Sequence, residues 1–199
     1  MKPTSQESSQ RQVKRGMTFV AAMVTAIGLS LAASAHAAVV NGSFETGDFT
    51  GWTQTGNTGF AGVQCPGPGP TVAQGNCSAF FGAVGSPGGI TQNLSLVAGH
   101  DYFLSFAWLP DGGTPSSFSA SLGGVTILNL TNPAASATFR NFGLAFTATA
   151  ATEALAFSVR DDPGFMFLDA VSVVPEPASV GLLGIALAAM FAGLRRRIR

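Results

Sequence analysis

His100-Asp101-Tyr102-Phe103-Leu104-Ser105-Phe106-Ala107-Trp108-Leu109 is the stretch that decides the fold. Its residues divide by alternation. Tyr102, Leu104, Phe106 and Trp108 fall on one side; Phe103, Ser105, Ala107 and Leu109 fall on the other. A strand turns successive side chains to opposite faces, so this rhythm predicts a strand with one face in a core. Similar but weaker rhythms place strands at 78–84, 89–97, 117–122, 124–130, 137–147, 154–160 and 165–174. Turn formers separate them, among them Ser86-Pro87-Gly88-Gly89, Pro110-Asp111-Gly112-Gly113, Thr131-Asn132-Pro133 and Asp161-Asp162-Pro163-Gly164. No convincing helical period interrupts residues 38–174, and no internal repeat is visible. Eight or nine short strands at such spacing predict an all-β, antiparallel β-sandwich. A jelly roll is the usual way to close them into two sheets.

Both ends of the chain read as addresses rather than as fold. Arg11, Lys14 and Arg15 precede an apolar run from Met17 to Leu31, and Ala35-His36-Ala37 follows it. That is the order of a signal peptide over 1–37, cleaved between Ala37 and Ala38. At the other end, Pro175-Glu176-Pro177 precedes an uncharged apolar stretch over 178–194 and then Arg195-Arg196-Arg197-Ile198-Arg199. As a helix, that stretch would be ~26 Å long, at the short end for a transmembrane span. The arginines would hold the tail in the cytoplasm and leave the domain outside. The expected organisation is a signal peptide over 1–37, a β-sandwich domain over 38–174 and a sorting tail over 175–199.

With the ends set aside, the charge changes. The whole chain is formally neutral, with 10 basic and 10 acidic residues. Residues 38–174 keep two arginines, Arg140 and Arg160, against eight carboxylates, a formal charge of −6 with no lysine. Such a surface has no cationic footprint for nucleic acid. It would repel anionic polymers and could collect divalent cations. Export also places Cys65 and Cys77 in an oxidising compartment. A disulfide closing the Pro-Gly loop between them is expected, with two free thiols as the alternative. No further sulfur or nearby histidine completes a metal site there.

Two resemblances follow from these residues. Val174-Pro175-Glu176-Pro177-Ala178-Ser179, the apolar stretch and the terminal arginines resemble the PEP-CTERM sorting signal. The resemblance implies recognition of Pro175, Glu176 and Pro177 by an exosortase-type membrane transpeptidase. It also implies a setting of exopolysaccharide and biofilm, with the membrane engaged through the C-terminal helix until processing. Two prolines keep the motif extended and out of a helix. The second resemblance rests on Asn41-Gly42-Ser43-Phe44-Glu45-Thr46-Gly47-Asp48-Phe49-Thr50-Gly51-Trp52 and on Phe167-Leu168-Asp169-Ala170-Val171-Ser172-Val173. Gly89 to Leu94 and His100 to Phe106 support it. These segments resemble the opening, closing and middle strands of carbohydrate-binding-module-like, galactose-binding-like jelly rolls. The resemblance implies that first and last strands lie side by side, with a structural calcium held by Glu45 and Asp169 where they meet. Calcium takes carboxylate and carbonyl oxygens. The alternative is that Glu45 caps a turn and Asp169 accepts backbone hydrogen bonds.

Catalytic chemistry has little material. His100 is the single imidazole left after signal removal and starts a strand, which suits a turn better than a triad base. Zinc needs more His and Cys ligands. Gly88-Gly89 and Gly123-Gly124 lack the helix and lysine of a phosphate loop. A glycosidase needs two carboxylates, and Asp161-Asp162 is the best pair, but aspartates before Pro-Gly are ordinary turn formers. Sugar binding asks for aromatic faces beside planar polar groups. Trp52, Tyr102, Trp108, Gln92 and Asn93 are the candidates. Trp52 carries a core pattern, and Tyr102 and Trp108 share an apolar strand face, which is also the core pattern. Trp108 stands next to the 110–113 loop, which could bring it to the rim and makes it the candidate glycan contact. The expected function is a non-enzymatic, exported protein of the envelope or extracellular matrix, structural or adhesive, with weak glycan affinity. A surface-anchored glycan-active hydrolase is the alternative.

Overall fold

The computed structural model describes residues 39–176. The signal-peptide, Ala37–Ala38 cleavage and 178–194 helix expectations, and Pro177, lie outside the described residues. Among those described, no helix is long and apolar enough to cross a membrane.

Among the described residues, ten strands form two five-stranded antiparallel sheets. They are β1 (Thr53–Gly56), β2 (Ala61–Gln64), β3 (Ser78–Phe81), β4 (Gly88–Ser95), β5 (Asp101–Leu109), β6 (Ser116–Leu122), β7 (Val125–Thr131), β8 (Arg140–Thr147), β9 (Thr152–Asp161) and β10 (Met166–Pro175). The first sheet runs β1-β4-β9-β6-β7 and the second β2-β3-β10-β5-β8. The chain crosses between sheets repeatedly, as a jelly roll requires. The expected all-β sandwich is the architecture found.

β5 shows why the alternation predicted it. Tyr102, Leu104, Phe106 and Trp108 point into the sandwich and are 4 % exposed or less. β9 faces them from the first sheet with an equally regular inward row: Glu153, Leu155, Phe157, Val159 and Asp161, all buried. Phe157 lies at the centre, edge-on to Phe106 at 5.0 Å and in ring contact with Trp52 and Phe118. Burying such aromatic area is the main favourable term for a sandwich of this size.

Several expectations need correction. The alternation predicts neither β1 nor β2. Both are four-residue edge strands, and β1 is exposed throughout, so neither carries an apolar alternation. The strand expected at 78–84 stops at Phe81, and the one expected from 137 begins at Arg140. The opening segment is not a strand beside β10. Residues 39–52 are turns and coil, and β10 lies between β3 and β5.

The opening segment nevertheless reaches β10. One extra residue enters β10 between Asp169 and Ser172, since Asp169 pairs with Ala107 and Ser172 with Ser105. Ala170 takes φ 52° there, and the bulge turns Val171 inward, 4 % exposed. The Val171 N–H donates to Gly42 O at 2.9 Å. A Cβ on Gly42 would collide with Val171 O, so the approach demands glycine. Phe44 and Trp52 then stack at 6.0 Å in the core. Gln92 fixes the segment, accepting from Val40 N–H and donating to Val40 O and Gly51 O.

Phe157→Ala should lower unfolding free energy by about 3–5 kcal/mol, measured by denaturant titration, because the site is ringed by aromatic neighbours that cannot all collapse into the space.

Candidate functional site

Three places concentrate functional side chains. The first joins the bulge to the cysteine loop. Cys65 and Cys77 form a disulfide, as expected. The loop they close is held by two carboxylates. Asp169 Oδ2 accepts from the N–H groups of Ala73 and Gln74 at 2.7 and 2.8 Å, and Oδ1 accepts from Ala170 N–H at 2.6 Å. Glu45 Oε1 accepts from Asn76 and Cys77 N–H at 2.9 and 3.0 Å. Gly75, at φ +72°, leaves the space that Glu45 fills. Burial first, and then the charge of Glu45, push the Asp169 pKa up against those hydrogen bonds. The residues named for calcium are thus brought together. The two-carboxylate, backbone-acceptor arrangement weighed against calcium is present in full, and Glu45 Oε2 remains without a hydrogen bond in the described contacts.

The second place is the end of β9. Asp161 is 0 % exposed, and neither of its oxygens has a hydrogen-bond partner. Asp111 stands beside it, accepting from Gly113 N–H at 2.7 Å and Phe165 N–H at 3.1 Å. Burial, the Asp111 charge, a proton-sharing side-chain hydrogen bond with Asp111 and the Asp162 charge push Asp161 up to about 7. Asp162 differs completely. It accepts from Gly85 N–H and from two nitrogens of Arg160, at 3.0, 3.0 and 2.7 Å, and these contacts hold its pKa low. For a hydrolase this geometry is poor: Asp161 is sealed from substrate and Asp162 is tied to a guanidinium. General acid and base must both reach the scissile bond.

The third place is the outer surface of the sheets. On the first sheet, register aligns Thr53, Thr91, Ala156 and Ser121 in one row and Thr55, Gly89, Ser158, Ser119 and Asn129 in the next. That face is carpeted with hydroxyls and small groups. The second sheet differs. Gly62, Phe80, Phe167 and Leu109 form an outer row. The Phe80 ring covers Gly62, and the Phe103 ring covers Gly143 across the strand gap. Phe165 meets Phe80 edge-on at 5.6 Å. Phe103 and Phe165 are 41 % and 40 % exposed.

The sugar candidates named from sequence lie mostly elsewhere. Trp108 is 4 % exposed, stacked on Phe118 at 4.8 Å, with the Arg140 guanidinium 5.6 Å from its ring centre. It presents no open ring to a glycan; core packing outweighs its proximity to the 110–113 loop. Tyr102 is buried, and its hydroxyl accepts from Val97 N–H. Gln92 is consumed by the opening segment. Asn93 is exposed on the hydroxyl face. Phe80, Phe103 and Phe165 are not among the sugar candidates read from the sequence. For Phe103 the available signal was its place on the outward side of the β5 alternation. The sorting residues begin inside the fold: Pro175 pairs with Tyr102, and Glu176 N–H donates to Asp101 O at 3.0 Å.

Solved structures share this architecture. TmCBM61, determined in complex with β-1,4-galactotriose, is similar with a TM-score of 0.61 at 19% identity, over 71% of this chain and 99% of that one. The C-terminal family 22 carbohydrate binding module of Clostridium thermocellum Xyn10B is similar with a TM-score of 0.51 at 19% identity, over 72% and 96%. The Stig cyclase Fisc from Fischerella sp. TAU is similar with a TM-score of 0.53 at 17% identity, over 73% and 99%. The fold is therefore that of carbohydrate-binding-module-like sandwiches, and it also hosts cyclases, so fold alone does not separate binding from catalysis. Residues 173–197 match the PEP-CTERM protein-sorting motif, which marks the chain as exported and sorted to the cell envelope. No curated protein matches the sequence.

The raised Asp161 pKa gives a pH signature. The folded state binds a proton at Asp161 that the unfolded state, with a value near 3.8, releases. Its stabilisation is therefore complete below the unfolded value and is lost as pH rises through about 7. In chelator, Asp161→Asn should flatten the decline in melting temperature between pH 4 and pH 7. The part due to Asp169, which shifts in the same direction, should remain.

Proposed function

We propose that the domain over 38–174 is a non-catalytic glycan-binding module of the cell surface or extracellular matrix, delivered there by its C-terminal signal. The observation that carries the reading is the aromatic outer face of the second sheet, on a sandwich shared along nearly the full length of galactotriose-bound TmCBM61. Half-exposed phenyl rings laid over glycines offer flat apolar surface to the C–H face of a sugar. Ser105, Ser172 and Asn141 lie on the same face and supply hydrogen-bonding groups. The −6 domain charge favours neutral over anionic polysaccharide. The hydroxyl-lined face of the first sheet lacks rings for stacking. A structural or adhesive role in an exopolysaccharide matrix follows from weak binding of this kind, with matrix glycans as the partner.

An exosortase-type transpeptidase would act on Pro175, Glu176 and Pro177 once the signal peptide has been removed and the 178–194 segment holds the chain at the inner membrane. Calcium at Glu45 and Asp169 belongs to the same reading. Glu45 and Asp169 both bind the cysteine loop, so a cation there would neutralise charge and crosslink the opening segment to β10. It would be structural and would take no part in glycan contact.

Affinity electrophoresis against neutral galactans and xylans should show retardation that Phe103→Ala and Phe165→Ala reduce at least about threefold. Equal mobility of wild type and variants in every glycan would remove the binding reading. Mass spectrometry of the mature protein should find a C-terminus near residues 175–177; an intact Arg199 would remove the processing reading.

A further inference from the structure

The exported domain has almost nothing positive with which to neutralise a buried acid. Its two arginines are both engaged: Arg160 with Asp162, and Arg140 with the carbonyls of Ala134 and Ala135 and the Trp108 ring. Seven of its eight carboxylates accept hydrogen bonds, and Asp161 is the exception. A buried carboxylate is expensive to ionise unless a hydrogen bond or a cation compensates its charge. Neighbouring donors are already used. Ser116, opposite Asp161 in the ladder, donates its hydroxyl to Gly113 O at 2.6 Å.

The space in front of Asp161 is built from oxygen. A Cβ placed on Gly113 would lie 2.7 Å from Asp161 Oδ1, 2.7 Å from Pro163 O and 3.2 Å from Asp111 Oδ1. Three oxygens on three residues therefore surround one small volume that glycine keeps open. Gly164, at φ +146°, likewise leaves room for the Asp111 carboxylate. Asp111 itself is exposed, so this volume has a route to solvent on its side. Hard oxygen ligands with two carboxylates and a carbonyl suit a calcium ion, whose remaining positions water can fill.

We propose that Asp111, Asp161 and the Pro163 carbonyl form a divalent-cation site, with calcium the cation they fit. It is separate from the Glu45–Asp169 pair. It joins the β5–β6 connection, through Asp111, to the β9–β10 turn, through Asp161 and Pro163. These two loops lie at one end of the sandwich, and a cation between them would fix both.

The test uses the full chain in detergent, with calcium alone as probe. Glu45→Ala removes the other candidate site and serves as background. In that background, isothermal titration should still show calcium uptake, and calcium should raise the melting temperature above that in chelator. Adding Asp161→Asn should weaken the affinity at least about tenfold and make melting insensitive to calcium. Circular dichroism should be unchanged, because the asparagine can donate to Asp111. Asp111→Asn, at the exposed lip, gives the same readout should the buried substitution impair folding. Equal uptake with and without Asp161→Asn would overturn the proposal. So would absence of uptake in the Glu45→Ala background, which would leave Asp161 as a proton-sharing partner of Asp111. Neither result bears on glycan binding, which is measured separately.

Discussion

A single extra residue in β10 governs how this sandwich is assembled. Without the bulge between Asp169 and Ser172, strict alternation would turn Val171 outward after Leu168. With it, Leu168, Val171 and Val173 all enter the core, and the Val171 N–H is left for a partner outside the β5 ladder. Gly42 O supplies that partner. Docking there sets the path of residues 39–52, which explains how a segment without strand structure can contribute Phe44 and Trp52 to the core. It also sets Glu45 against the cysteine loop from one side while Asp169 grips it from the other. The bulge, the glycine and the two carboxylates form one device.

The absence of lysine between residues 38 and 174 shapes how the acids there are used. With two arginines available, most carboxylates are neutralised by backbone N–H groups instead of cations. Asp48 caps the 46–50 turn, Glu153 accepts from Thr149 and Ala150, Asp111 from Gly113 and Phe165, and Glu45 and Asp169 from the disulfide loop. Hydrogen bonds from several amides to one carboxylate are strong, because the acceptor is charged. They also make each acid a loop-organising element. Asp161 departs from this rule while being the most deeply buried of the set together with Asp169. Its inward direction is enforced by β9, whose core row begins and ends in a carboxylate.

How far the sequence could be read follows from the same physics. β9 alternates wet or half-wet with dry over all ten residues, and β5 does so over its first six before both faces become buried, so both are legible. β1 and β2 are not, since four-residue edges owe their existence to pairing with β4 and β3 and not to their own side chains. Glu45 and Asp169 could be placed together by resemblance, but the amides that occupy them come from residues 73–77, whose path no periodicity specifies. Trp108 shows a local cue overruled. Its neighbouring loop suggested the rim, whereas its alternation with Tyr102, Leu104 and Phe106 already assigned it inward. The same reading of β9 would have buried Asp161, and the off-face position of Phe103 would have exposed it.

The junction between fold and tail has a further consequence. β10 continues through Pro175, in register with Tyr102, and one more backbone hydrogen bond ties Glu176 to Asp101. No linker separates the last strand from the sorting motif. Proline suits this position because the strand's final residue can dispense with a ladder donor, while the following residue still bonds through its own N–H. A cut after Glu176 would therefore leave every β10–β5 pairing in place, whereas each residue removed from within the strand's end would delete one pair of that ladder. The domain and its address share a boundary at the last pair of the β10–β5 ladder.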